Sequence, residues 1–225
     1  MSFAPFYPFI YRLLKPTFPH CLWSGCPNSP TIALTFDDGP HPQYSPQLLE
    51  VLDRHRIPVS FFWLGTSVEE SPDLARQIAQ RHHWVGLHGY HHRSFATLTS
   101  TDLKQELDRT RTIIARNCSI DPATLVDVRP PYGLFTPQTL KLLNSWEYRT
   151  VMWSVIPEDW TCPGAAVVVQ RILDQVQNGS IIVLHDGDHG GQDVAETVDR
   201  LVSRLLQNGY QFVTIDQLWS ALLCL

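Results

Sequence analysis

A chain of 225 residues with 44% hydrophobic content can bury one sizeable core, and a barrel of repeated strand and helix units reaches this length as one domain. The formal charge is −5 and Lys and Arg are scattered, which argues against nucleic acid as a partner. Five cysteines, Cys21, Cys26, Cys118, Cys162 and Cys224, make an odd set without zinc-ribbon spacing, so reduced thiols are expected, with a pair between Cys21 and Cys26 conceivable in an oxidising compartment.

In chain order, residues 1–30 are expected to form an arm packed on the domain. The opening MSFAPFYPFIYRLLKPTFPHCLW is aromatic and apolar, yet no basic residue precedes Arg12, and Pro5 and Pro8 interrupt the run. That pattern makes a poor signal peptide, and the run is too short and broken to span a bilayer. The sequence therefore points to a cytoplasmic location, with an extracytoplasmic or membrane-associated one kept open by substrate class. Packing of the arm on the core is favoured over contact with a membrane surface.

From Thr31 onward, short β-branched runs alternate with amphipathic stretches. Strands are predicted at Thr31–Phe36, Pro58–Leu64, Trp84–His88, Leu125–Arg129, Tyr148–Ser154, Ser180–His185 and Gln211–Ile215. Helices are predicted at Ser45–Arg56, Pro72–His82, Thr101–Asn117, Pro137–Trp146, Gly164–Gln177, Gln192–Gln207 and Asp216–Leu223. Ser71 before Pro72, Thr136 before Pro137, and Asn178-Gly179 supply boundary signals. Seven strand–helix units imply parallel strands with right-handed crossovers, and no Gly-rich phosphate loop follows the first strand. The expected fold is α/β, a single-domain distorted (β/α)7 barrel over residues 31–225, an incomplete variant of the TIM barrel.

In such a barrel the chemistry gathers where strands end on the C-terminal face. Asp37 and Asp38 follow the first strand, His88 ends the third, Arg129 ends the fourth, WSVIPEDW (153–160) follows the fifth, and His185 ends the sixth. His88 and His92 would share a face if their loop made a helical turn. With Asp38 they would give two imidazoles and a carboxylate, the usual catalytic zinc arrangement with one position left to water. His82 and His83 are expected to be a solvated helix end without chemistry, and HDGDHGG (185–191) a turn in which only His185 matters. RPPYG (129–133) is either a rigid turn with a surface arginine, or a device that fixes the Tyr132 N–H and aims Arg129 at a carboxylate. If the first strand stays extended to its end, Asp37 and Asp38 point to opposite sides.

These segments together resemble the polysaccharide deacetylases of the NodB-homology type, carbohydrate esterase family 4, from about Thr31 to the C-terminus. TFDDGP (35–40), HGYHH (88–92), RPPYG, EDW (158–160) and VLH (183–185) carry the resemblance in the family's order. It implies a metal-dependent hydrolase that removes acetyl groups from N-acetylated sugars of peptidoglycan or a chitin-like oligosaccharide. Asp37 would be the base; Asp38, His88 and His92 would hold a divalent ion, Zn²⁺ first, with Co²⁺, Ni²⁺ or Mn²⁺ as alternatives. Arg129 would tether Asp37, and Asp159 would tune His185, the general acid. Tyr132 would offer its backbone N–H to the oxyanion, and Pro130, Tyr132, Trp160 and Val183 would meet the sugar. Base and acid, on the first and sixth strands of a ring, would approach the scissile bond from opposite sides. Gly89, Ile156 and Val183 depart from the family's pattern and bear on substrate preference and rate. An O-acetyl esterase for xylan-like glycans, a non-catalytic carbohydrate binder, and an enzyme for a small acetylated metabolite or lipid-linked sugar are the competing expectations. A monomer is expected.

Overall fold

The apolar runs form seven strands among the described residues: β1 (Thr31–Asp37), β2 (Ser60–Trp63), β3 (Trp84–Leu87), β4 (Asp127–Val128), β5 (Arg149–Thr150), β6 (Ile181–His185) and β7 (Gln211–Phe212). The structure, a computed structural model, describes residues 4–223, so Cys224 lies outside the described residues. All pairings between these strands are parallel, in the order β5-β4-β3-β2-β1-β6, with β7 beside the start of β1. The sheet curls until Ser154 and Val155 donate their N–H groups to the Ile181 carbonyl at 3.0 and 3.1 Å. An irregular segment therefore closes the (β/α)7 barrel.

Among the described residues, nine helices surround or flank it: α1 (Tyr7–Thr17), α2 (Tyr44–His55), α3 (Gly65–Glu70), α4 (Pro72–Ala79), α5 (Ser100–Cys118), α6 (Pro137–Ser145), α7 (Ala165–Leu173), α8 (Val194–Gln207) and α9 (Ile215–Leu223). Helices α2 and α8 pack together, and Leu48, Leu52, Leu201 and Leu205 join Phe36 and Phe61 in the main core. Each such side chain, fully buried, contributes about 1.5–3 kcal/mol. Thr136 caps α6 by accepting from the Thr139 N–H, with Pro137 in the first turn where no donor is missed. No helix among the described residues is long and apolar enough to cross a membrane. Cys21, Cys26, Cys118 and Cys162 are free thiols.

Several predicted boundaries move for identifiable reasons. The strand expected over Tyr148–Ser154 keeps a regular ladder only at Arg149–Thr150, matching its two-residue partner β4, and beyond it Val151 bridges Leu22 of the arm. Leu22 donates to the Thr150 carbonyl at 2.9 Å and accepts from Met152 at 2.8 Å. The fourth strand shortens to two residues, although Arg129 still donates to Leu87 at 2.9 Å. Helix α3 has no counterpart in the prediction. Helix α4 stops at Ala79, and His82 takes a left-handed φ of 62°. His83 is not a solvated end: both ring nitrogens are buried without hydrogen-bond partners, its ring meets Phe61 edge-on at 5.6 Å, and burial pushes its pKa down to about 4. The arm contains a helix that the prolines obscured. Pro8 falls in the first turn of α1 and Pro16 in its last, where neither breaks the hydrogen-bond ladder severely. Tyr11 of α1 packs with Cys21, Trp23 and Met152 in a small cluster of its own.

Candidate active site

The ends of β1, β3, β4 and β6 and the segment after β5 open into one cleft of about 470 Å³. Asp37, Asp38, His88, His92, Tyr132, Trp160, Val183 and His185 line it. Pro130 does not; it is buried behind the cleft, where its carbonyl accepts from Gly133. A groove of about 530 Å³ along α2 and α4 holds none of these residues.

Three ligand-type atoms converge in the cleft. Asp38 Oδ1 lies 3.5 Å from His88 Nε2 and 3.4 Å from His92 Nε2, and the three residues form the one group of metal-ligating side chains found among the described residues. The opposite nitrogen of His88, Nδ1, donates to the Arg129 carbonyl at 2.7 Å, which leaves the Nε2 lone pair facing Asp38. Burial, and then the neighbouring His88, lower the pKa of His92 and favour its neutral, ligating form. Asp38 Oδ1 is buried and has no hydrogen-bond donor. Lone pairs aimed at one another need a cation between them, so this donor set fits a divalent ion.

The local backbone differs from expectation in two respects. Residues 88–92 are not helical; the chain bends at Gly89, φ +91°, to bring the imidazoles together, with ring centroids 5.2 Å apart. Nor does the first strand stay extended through both acids. Asp38 has φ 79°, so the turn directs its carboxylate into the same cleft as Asp37. A side chain at Gly187 would come within 2.6 Å of Asp38 Cβ, and one at Gly39 would overlap the Asp186 carboxylate. Glycines at both places allow the loops after β1 and β6 to touch.

Asp37 is held from behind. The wholly buried Arg129 donates through Nη1 to Asp37 Oδ1 at 2.6 Å and to Thr35 Oγ1 at 2.8 Å, and through Nη2 to the Met152 carbonyl at 3.1 Å. Arg129 is therefore no surface arginine. His185 is oriented by Asp159, whose Oδ1 accepts from Nδ1 at 2.9 Å and whose Oδ2 accepts the His185 backbone N–H at 2.7 Å. Burial alone would lower the His185 pKa, but the Asp159 carboxylate, with Asp38 and Asp37 behind it, raises it to about 10. Asp37 and His185 do not face each other across a ring: β1 and β6 are neighbours, and the two residues are register partners.

Tyr132 takes a left-handed φ of 60°, and its own N–H has no acceptor among the described residues. Its ring lies 4.3 Å from that of His92. Trp160 meets His185 edge-on at 5.4 Å, and Val183 and Ile156 add apolar floor. Asp186 is more than a turn residue: it accepts the Ser45 hydroxyl, and burial, aided by Asp38 and Asp37, pushes its pKa up to about 7.

Tyr7, Gly133, Trp153 and His189 line the cleft without having been foreseen. Tyr7 comes from α1, and its hydroxyl donates to Glu158 at 3.5 Å, a contact between residues 151 apart in sequence. Glu106 was also missed. Its Oε2 accepts the N–H groups of Tyr90 and His91 at 2.9 and 2.8 Å and so braces the loop between His88 and His92. The available signal was its place on the buried face of α5, between Leu103, Leu107 and Thr110.

Comparison with known proteins gives a consistent picture. The family model described as polysaccharide deacetylase matches residues 24–151. A chitooligosaccharide deacetylase of Sinorhizobium fredii is 35% identical over 71% of this chain and 73% of its own. A solved peptidoglycan N-acetylglucosamine deacetylase superposes with a TM-score of 0.84 at 28% identity, over 88% of this chain and 92% of its own. A carbohydrate esterase family 4 pseudoenzyme from Bacillus anthracis gives 0.80 at 28% identity, over 87% and 67%. The chain spans from 38% to 95% of the length of the curated relatives it matches.

Proposed function

The chain belongs to the polysaccharide deacetylase family, and on that premise we propose that it is a metal-dependent deacetylase acting on N-acetylated sugars of peptidoglycan or a chitin-like oligosaccharide. The observation that carries this reading is the meeting, in one cleft, of the Asp38, His88 and His92 donor set with Asp37 and His185. The peptidoglycan and chitooligosaccharide deacetylases among its relatives support the substrate class.

Asp38, His88 and His92 would hold a divalent ion, Zn²⁺ in our reading or else Co²⁺, Ni²⁺ or Mn²⁺, which would polarise the acetyl carbonyl and lower the pKa of bound water toward neutrality. Asp37, held in place by Arg129 at 2.6 Å, takes the proton of the attacking water. The Tyr132 N–H donates to the developing oxyanion, a contribution of about 3 kcal/mol per donor in other enzymes. His185, with Nδ1–H committed to Asp159, presents Nε2 toward the departing nitrogen and protonates it. An amide nitrogen leaves poorly without that proton. Trp160 and the Tyr132 ring wall the groove for the sugar.

The test is acetate release from a panel of acetylated glycans, with chelator and with metal restored, scoring free amine against free hydroxyl. Amine release that stops on metal removal and returns with Zn²⁺ is expected. Activity surviving complete metal removal would refute the metal role, and free hydroxyl alone would make the protein an O-acetyl esterase. Glycan binding without acetate release, metal present, would place the chain with the pseudoenzyme.

A further inference from the structure

Helix α1 is apolar on two faces, where a surface helix is ordinarily apolar on one. One face is docked: Tyr11 meets Trp23 at 6.4 Å, Tyr7 meets Trp153 at 6.4 Å, and Leu14 joins the same cluster. The second face is bare. Phe6, Phe9, Ile10 and Leu13, at spacings of three, four and seven, are 58, 69, 42 and 70% exposed. They are four of the eight large hydrophobic side chains exposed among the described residues.

The charge of this segment is opposite to that of the rest of the chain. Arg12 and Lys15 are the only Lys or Arg before Asp37, and no Asp or Glu precedes it, although the whole chain is formally −5. Neither cation meets a carboxylate among the described residues; Lys15 donates only to the hydroxyls of Tyr11 and Ser24. A ridge of aromatic and aliphatic side chains flanked by Arg12, on a segment whose only charges are positive, matches the surface of an anionic bilayer, which yields around a helix and attracts positive charge.

We propose that α1 is a membrane-surface anchor, lying in the interface of an anionic bilayer with Phe6, Phe9, Ile10 and Leu13 in the acyl boundary. Arg12 flanks the ridge and holds it among the headgroups, contributing about a fivefold change in partition, while Lys15, bonded to Tyr11 and Ser24 on the docked side, adds only its long-range charge. Tyr7 lines the catalytic cleft from the same helix, so anchoring sets the cleft mouth beside the lipid surface. This inference goes beyond the deacetylase reading and stands or falls without it.

The test floats the 225-residue chain with vesicles of phosphatidylcholine alone and of phosphatidylcholine mixed with phosphatidylglycerol. Flotation with the mixed vesicles, weaker with the neutral ones, is expected. Phe9→Glu with Leu13→Glu should cut the partition at least ~tenfold, since each places a charge at apolar depth. Both positions are exposed, so circular dichroism and melting should match the parent. A chain that floats with neither vesicle, or a folded double variant that floats as well as the parent, overturns the proposal. So does a dimer that the double variant abolishes while nothing floats, because a second copy would then cover the ridge.

Discussion

Asp37→Asn separates the structural work of Asp37 from its chemistry. Arg129 is 0% exposed, and Asp37 is its only anionic partner among the described contacts. Asparagine can still accept the Nη1–H, so the change removes a unit of charge and little volume, leaving a buried guanidinium uncompensated. Stranding one member of a buried pair costs about 3–5 kcal/mol. With the hydrogen bond kept, the lower end, about 3 kcal/mol, is expected. At about 2–4 °C per kcal/mol for a chain of this length, the midpoint should fall by about 6–12 °C in metal-free protein. Adding Arg129→Met removes the stranded charge and should recover most of that loss, while acetate release stays abolished in both variants. A single variant melting within about 1 °C of the parent would refute the claim that Asp37 neutralises Arg129, and turnover near the parental rate would remove Asp37 as the base.

Glu106→Gln should loosen the loop carrying His88 and His92 and weaken Zn²⁺ binding by about 10–100-fold in a chelator competition; unchanged affinity would reduce Glu106 to a packing residue. Asp159→Asn should move the alkaline limb of kcat/KM to lower pH, because burial, which lowers the His185 pKa, then acts without the carboxylate that raises it; a fixed limb would exclude His185 as the acid. His83 carries a folded pKa of about 4 against an unfolded value of 6.5, so the stability of its neutral form is complete above the unfolded value. That stability is lost as pH falls through the window toward about 4, at most about 3 kcal/mol, and His83→Phe should flatten the urea-unfolding free energy there.

The seven repeating units could be seen in the sequence because buried parallel strands are apolar along their length, as β1 is at Ile32, Ala33, Leu34 and Phe36. Strand ends then marked the cleft without further information, since Asp37, His88, Arg129 and His185 are polar residues where such runs stop. What stayed hidden depends on contacts distant in sequence. The bridge from Leu22 to Val151 ties the arm to the end of β5, and the place of Tyr7 in the cleft follows from α1 docking beside Trp153. Strand order is likewise absent from a linear pattern, so the neighbouring positions of Asp37 and His185 were not foreseen. The left-handed turn at Asp38 was missed for a local reason: most L residues avoid positive φ, and only close packing against Gly187 reveals it.

The register between Asp37 and His185 also has a mechanical meaning. Two residues on one rung of a parallel ladder keep their spacing as long as that rung's hydrogen bonds survive, and this pair sits where Asp186 N–H reaches the Asp37 carbonyl at 3.2 Å. The closure of the barrel, by contrast, relies on the short bridge from Val155 to Ile182 and on an arm wedged in by Leu22. Tyr7, Trp153 and Ile156 line the cleft on the side of that closure. Asp37 and His185 thus stand on the continuous ladder, and the wall opposite stands on the weaker seam.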